Sequence, residues 1–242
     1  MPELPEVEVT KNAIAHRING ATIMAVELGK PLRMPLQVDH RELVGRKIMS
    51  VGRRGKYLVF TLSEGVLLVH LGMSGSLSFL PNCSPPGKHD HFTLLTDVGC
   101  IRLHDPRRFG AVVFSASMDV QPAFNLVSRL GMEPLSGEFP RDTFVQAIRT
   151  KRSPVKQVLL AGQVVVGVGN IYASEVLFMS GIHPASRADR VSARRLQRLH
   201  DAIRSVLAEA VKAGGTTLRD FSDPNGNKGH FQTATKVYGR VG

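Results

Sequence analysis

The chain opens Met1-Pro2-Glu3-Leu4-Pro5-Glu6, which sets prolines and two carboxylates within six residues. A methionine ahead of a small second residue is normally trimmed, and trimming exposes the secondary amine of Pro2. An α-amino group titrates at about pH 8, far below lysine, so an appreciable fraction is unprotonated at neutral pH. Such an amine can attack an electrophilic carbon and form an iminium, a fixed cation that acts as an electron sink for elimination. Glu3 adjoins that nitrogen as a candidate proton shuttle, and Glu6 follows about one helical turn later. The same residues also suit an ordinary helix start, with Pro in the opening turn and acids at the positive end of the dipole.

Four further segments carry residue types suited to a polyanion. Gly167-Val168-Gly169-Asn170 precedes a helical pattern, and glycines with an amide at a helix N-terminus suit a phosphate. It lacks the third glycine and the βαβ setting of a dinucleotide fingerprint. Arg53-Arg54-Gly55-Lys56 and Asp105-Pro106-Arg107-Arg108-Phe109-Gly110 put basic residues at turns between strands, where loops deliver function and where solvated charges are also common. In His70-Leu71-Gly72-Met73-Ser74-Gly75 a methionine stands between small residues on a tight turn, as a wedge between base pairs or as packing. His89, Asp90 and His91 have metal-ligand residue types but only the alternation that any strand provides. Cys83 and Cys100 are too few for a disulfide framework or a four-thiolate zinc site and read as free thiols.

These residues need elements to hold them. Glu3 to about Ile18 reads as a helix closed by Gly20. Ala21–Leu28, Lys47–Val51, Tyr57–Leu62, Val66–Leu71, Gly75–Leu80, His91–Leu95, Cys100–Leu103 and Ala111–Ser115 read as strands between turn residues, which predicts a β-sandwich with one long helix over residues 1–117. Residues 118–140, broken by Pro122, Gly131, Pro134, Gly137 and Pro140, read as a linker. Helices are then expected at Asp142–Thr150, Val155–Leu160, Asn170–Met179 and Ser192–Ala213, the last with Leu196, Leu199, Ile203, Val206 or Leu207, and Ala210 along one face. Phe231–Tyr238 reads as a short strand-like end. The fold class is α+β, a sandwich domain followed by a helical domain over 141–242.

Composition narrows the partners. The 242 residues include 31 Lys and Arg against 20 Asp and Glu, a formal charge of +11, which favours a polyanionic partner. Residues 1–120 hold 14 basic and 11 acidic side chains and residues 121–242 hold 17 and 9, so the excess is larger in the second half. There is no Trp, and aromatics are 6% of the chain, a poor composition for a single-strand binder that works by stacking. No run approaches the ~20 apolar residues of a membrane span, and no signal peptide precedes the first helix, so a cytoplasmic, nucleoid-associated protein is expected.

Together the motifs resemble the formamidopyrimidine-DNA glycosylase family, bacterial repair enzymes for oxidised purines. The resemblance rests on Pro2-Glu3-Leu4-Pro5-Glu6-Val7-Glu8, Arg54-Gly55-Lys56-Tyr57, His70 through Gly75, Asp105 through Gly110, Val166 through Glu175, Gly214-Gly215-Thr216-Thr217-Leu218 and Val237-Tyr238-Gly239-Arg240. It implies a β-sandwich joined to a helix-two-turn-helix domain, acting as a monomer on double-stranded damaged DNA with the lesion nucleotide flipped out. By that resemblance Pro2 is the nucleophile at the sugar C1′, Glu3 the acid/base and Glu6 an electrostatic tuner, with Lys56 grouped among the catalytic residues as a phosphate clamp. His70 and Asn170 also hold phosphates, while Met73, Arg107 and Phe109 fill the vacated space. Lys156 matches the lysine associated with 8-oxoguanine, and residues 216–231 match a lid. Family members usually continue into a four-cysteine zinc finger, whose zinc is expected of the full-length protein but whose ligands are not in this sequence.

Three other readings compete. An endonuclease VIII-like enzyme for oxidised pyrimidines typically has Gly where Leu4 stands and lacks the methionine–arginine–phenylalanine set. A DNA-binding module without chemistry has no need of a free imino terminus at Pro2. A basic structural protein binds without preference for a lesion.

Overall fold

Between Ile23 and Ser115 the chain alternates β-branched and aliphatic residues with Gly, Asn and Asp turns, and eight strands result: β1 (Ile23–Leu28), β2 (Ile48–Arg54), β3 (Tyr57–Leu62), β4 (Val66–His70), β5 (Ser76–Leu80), β6 (Asp90–Thr96), β7 (Gly99–His104) and β8 (Ala111–Ser115). They form two antiparallel four-stranded sheets, ordered β1-β6-β7-β5 and β2-β3-β4-β8. This is a computed structural model, and it describes residues 1–216 and 235–240.

The described residues fall into two units, Met1–Pro2 with Glu6–Ser128, and Glu3–Pro5 with Arg129–Thr216 and residues 235–240. In the first, Phe92, Leu94, Ile101 and Leu103 of one sheet and Leu58, Phe60, Leu67 and Val69 of the other share a core. Helix α1 (Leu4–Ile18) adds Val7, Ile14 and Ile18, spaced to lie on one face. The expected sandwich with one long helix is therefore the observed architecture of this unit.

The second unit is helical. Its helices are α3 (Arg141–Arg149), α4 (Val155–Ala161), α5 (Asn170–Met179) and α6 (Ala193–Lys212). Along α6 the residues expected on the core face, Leu196, Leu199, Ile203, Val206, Leu207 and Ala210, are all buried. Helix α5 is apolar nearly all round and packs between α4 and α6, and its one buried acid, Glu175, stands out against that background.

Three expectations change. Residues 118–140, read as a linker, divide between the units, and a short helix α2 (Ala123–Val127) seats the buried Ala123 beside Val66 and Leu68 of the first. Cys83 and Cys100, read as free thiols, are joined as a disulfide with Cα atoms 5.8 Å apart. The β5–β7 register explains it, because Leu80 pairs with Cys100 and carries Cys83, three residues on, back to the same place. Residues 235–240 form a turn where a strand-like end was expected, and residues 231–234 lie outside the described residues. Among the described residues no helix is long and apolar enough to cross a membrane.

Candidate functional site

The site residues are built in two sets, one in each unit. In the helical unit the organising feature is the N-terminus of α5. Gly169 caps it with no side-chain hydrogen bond, so the first N–H groups of the helix need an outside acceptor. Glu3, 2% exposed, supplies it. Its Oε2 accepts from Gly169 N at 2.6 Å and lies 3.4 Å from Tyr172 N, and its Oε1 accepts from Ile171 N at 3.0 Å. Leu4 N donates to Gly167 O at 3.0 Å alongside. A methyl group on Gly169 would overlap the Glu3 carboxyl carbon, and one on Gly167, whose φ is +81°, would overlap Leu4. The two glycines are there for this close approach. The expectation that these backbone donors hold a phosphate is corrected: they are given to a carboxylate, whose charge suits the positive end of the helix.

Asn170, the first residue of α5, is exposed. Lys156 on α4 donates from Nζ to Ser174 Oγ at 3.1 Å, and Ser174 Oγ donates to Asn170 O at 2.8 Å, so α4 and α5 bring Lys156 and Asn170 into one connected group. Glu175, 3% exposed on the next turn, accepts from the N–H groups of Lys236, Val237 and Tyr238 at 2.7, 3.0 and 2.8 Å. Sequence reading gave it no role, although an acid on an otherwise apolar helix is a visible signal. Thr216 is 1% exposed, and residues 217–231 of the expected lid lie outside the described residues.

In the sandwich unit Pro2 and Glu6 are buried, Glu6 at 0% exposure, and Thr10 Oγ1 donates to Glu6 O at 2.9 Å. Lys56 sits in the two-residue turn between β2 and β3, where Gly55 has φ +57° and Arg54 pairs with Tyr57. That turn is fixed from behind, because Arg53 Nη1 donates to Gly55 O at 2.9 Å while its Nε donates to Glu8 Oε2 at 2.7 Å. His70, at the end of β4, packs its ring 4.9 Å from that of Tyr57. Burial first, and then the cations of Lys56 and Arg33, push its pKa down to about 4, so the ring is neutral near pH 7. Its Nδ1 accepts from Gly72 N at 3.0 Å, which leaves the proton on Nε2 as a donor.

Met73 and Phe109 stand out of this unit at 43% and 42% exposure, unusual for apolar side chains on well-anchored loops. Arg107 lies over the Phe109 ring, its guanidinium carbon 4.9 Å from the centroid. Arg33, which sequence reading passed over, joins Arg107, Arg108 and Phe109 in lining a cleft of about 410 Å³. Among the described residues no group of three or more His, Cys, Asp or Glu is placed to hold a metal ion, the His89-Asp90-His91 segment included. Asp90 instead lies 2.9 Å from His104 Nδ1 and 3.8 Å from Arg102.

The helical unit offers a buried carboxylate in the residue after Pro2, and the sandwich unit a second buried carboxylate, a neutral histidine and several cations. Residues 1–112 match the family model of the formamidopyrimidine-DNA glycosylase N-terminal domain, and residues 130–222 match that of the H2TH domain of the same enzymes. A formamidopyrimidine-DNA glycosylase of Acidovorax sp. (strain JS42) is 57% identical over the whole chain, which covers 89% of that relative. One from Herminiimonas arsenicoxydans is 49% identical over the whole chain and 90% of its own length. Among solved structures, the MutM (Fpg) protein of Thermus thermophilus superposes with a TM-score of 0.89 at 38% identity, over 99% of this chain and 88% of that one. The Lactococcus lactis Fpg in complex with DNA containing an abasic site gives a TM-score of 0.90 at 34% identity, over 99% and 89%.

Proposed function

The chain belongs to the formamidopyrimidine-DNA glycosylase family, and on that premise we propose that it is a bifunctional DNA glycosylase and AP lyase of base excision repair acting on oxidised purines, 8-oxoguanine and formamidopyrimidines among them. The observation that carries this reading is the Glu3 carboxylate, buried and fixed on the N-terminus of α5, in the residue next to Pro2. A carboxylate fixed in the residue that directly follows the imino nitrogen in the chain suits a proton shuttle for attack by that nitrogen.

While Met1 remains attached, the Pro2 nitrogen is an amide and does not attack. Once it is free, the nitrogen attacks C1′ of the lesion nucleotide, which is turned out of the stack because C1′ is not reachable inside it. The N–C1′ bond forms as the glycosidic bond breaks, and the base leaves as an anion that takes a proton from water. Glu3, a carboxylate, takes the proton that the attacking Pro2 nitrogen gives up and passes it to the sugar ring oxygen as the C1′–O bond opens, giving an iminium between Pro2 and C1′. That cation acidifies the neighbouring C–H bonds, so β- and then δ-elimination release both flanking phosphates and nick the strand. Glu6, buried one helical turn on, tunes the charge of this site.

Lys56, His70 and Asn170 hold the phosphates beside the lesion, with His70 donating from Nε2. Met73 and Phe109 enter the space left by the flipped nucleotide, and Arg107 faces the unpaired cytosine. Lys156 takes part in reading 8-oxoguanine. Leu4 and the Met73, Arg107, Phe109 set favour purine over pyrimidine lesions. The protein acts as a monomer on double-stranded damaged DNA, in the cytoplasm. As for the zinc of the family's finger, the two cysteines present are bonded to each other and do not fit a four-cysteine site, so no step here runs through a metal.

The test is incubation of protein lacking Met1 with a duplex containing 8-oxoguanine opposite cytosine. Free 8-oxoguanine and a gap bearing phosphate at both ends are expected. Tight binding of the lesion without cleavage contradicts the reading in favour of a sensing module, and cleavage confined to oxidised pyrimidines contradicts its purine assignment.

A further inference from the structure

Two loops cross between the sheets at one end of the sandwich. Residues 71–75 join β4 to β5, and residues 105–110 join β7 to β8. They start and end on paired positions, His70 with Ala111 and Ser76 with His104, so they run side by side. Met73 is carried by the first, and Arg107 and Phe109 by the second. The second loop opens with Asp105, at 0% exposure. Its Oδ1 accepts from Ser74 Oγ at 3.2 Å, and its Oδ2 accepts from Gly110 N at 2.7 Å. Ser74 is the neighbour of Met73, and Gly110 is the neighbour of Phe109. The backbone of Asp105 is tied as well, accepting from Arg108 N at 3.1 Å and donating to His89 O at 2.8 Å. Gly72 completes the contact, since a side chain there would run into the Phe109–Gly110 peptide.

The geometry points to Asp105 as the positioning residue that holds Met73 and the Arg107–Phe109 arm as one rigid wedge. This deepens the glycosylase reading and rests on it. A side chain driven between base pairs meets the resistance of the stack, and a wedge on a yielding loop gives way before the bases do. Two exposed apolar side chains, on separate loops, act together only if their backbones cannot move apart. One buried carboxylate with an acceptor for each loop meets that need, and Asp105 touches neither the lesion nor the reacting atoms.

Asp105→Ala removes both anchors. Asp105→Asn retains them, because its carbonyl still accepts from Gly110 N and its amide N–H donates to a turned Ser74 hydroxyl. Excision of 8-oxoguanine from a duplex under single-turnover conditions is compared with cleavage of a preformed abasic site in a single strand, where there is no stack to open. For Asp105→Ala the expected result is a loss of about 10- to 100-fold on the duplex with single-strand cleavage nearly unchanged, and near-normal behaviour for Asp105→Asn. Equal loss on both substrates makes Asp105 a general structural residue and overturns the proposal, as does full duplex activity. If Asp105→Ala does not fold, Ser74→Ala, which frees the Met73 side alone, must show a smaller loss of the same selectivity; wild-type behaviour on the duplex overturns the proposal. A parent protein that cleaves neither substrate refutes the glycosylase reading itself, a result distinct from any of these.

Discussion

Glu3 is where residue identity and chemistry meet most closely. Two of its contacts, to Gly169 N and Ile171 N, span 166 and 168 residues, so the chemistry proposed for the first six residues depends on a helix far along the chain. Glu3→Gln keeps the size but turns an amide N–H₂ toward backbone N–H groups, leaving a buried donor unmet at a cost of about 1–3 kcal/mol. A drop of that size in chemical denaturation, together with loss of strand cleavage by about 10²–10⁴-fold, is expected; unchanged stability would mean that the carboxylate is not bound as described. Residue type and spacing singled out Pro2 with Glu3, the basic turns and Met73 as candidates, and the proposed roles of Lys56, His70, Arg107 and Phe109 rest on the family resemblance. The destination of Glu3 was not legible, since Gly167-Val168-Gly169-Asn170 reads as a phosphate loop until the carboxylate 166 residues away is seen in it. Arg33 was missed because a lone arginine in a proline-rich stretch carries no pattern.

At the scale of elements, the strands were visible as alternation and α6 as amphipathic spacing, while α5 is apolar nearly all round, and the bounds shifted by only a residue or two at most ends. Helix α2 was not visible, because five residues behind Pro122 have too little length to show a period. Glu175 shows how one side chain can fix a whole segment. Without its carboxylate, in Glu175→Ala, the amides of Lys236, Val237 and Tyr238 should lose hydrogen-exchange protection, while the sandwich amides keep theirs; full protection in that variant would contradict the anchoring. His70 makes the β4 end pH-sensitive. Its folded pKa of about 4 lies below the value of 6.5 for an unperturbed histidine, so between those values the unfolded chain binds a proton that the folded one does not. Stability from this group is complete above pH 6.5 and is lost as pH falls to about 4. Burial lowers the His91 pKa also, which adds a loss of the same sign. His70→Gln should therefore flatten, without abolishing, the fall in Tm across that window, and an identical slope would refute the assignment.

Over the whole molecule, a charge of +11 is a statement about partners and salt, not about fold. Each phosphate neutralised by the protein contributes about 0.9 to the slope of log K against log salt on duplex DNA. Lys56→Ala should weaken duplex binding and reduce that slope by about 1; a slope equal to that of the parent would remove Lys56 from the phosphate contacts. Charge alone could not separate an enzyme from a damage sensor or a basic structural protein, and on the proposed reading a Pro2 freed of Met1, next to the fixed Glu3, is what separates them. The most direct measurement is therefore borohydride reduction during reaction with a duplex carrying 8-oxoguanine opposite cytosine, followed by mass mapping of the cross-linked peptide, because reduction freezes the iminium on the nitrogen that formed it. The account predicts a single adduct on an N-terminal Pro2. An adduct on a lysine, or none from protein shown to begin at Pro2, would contradict it.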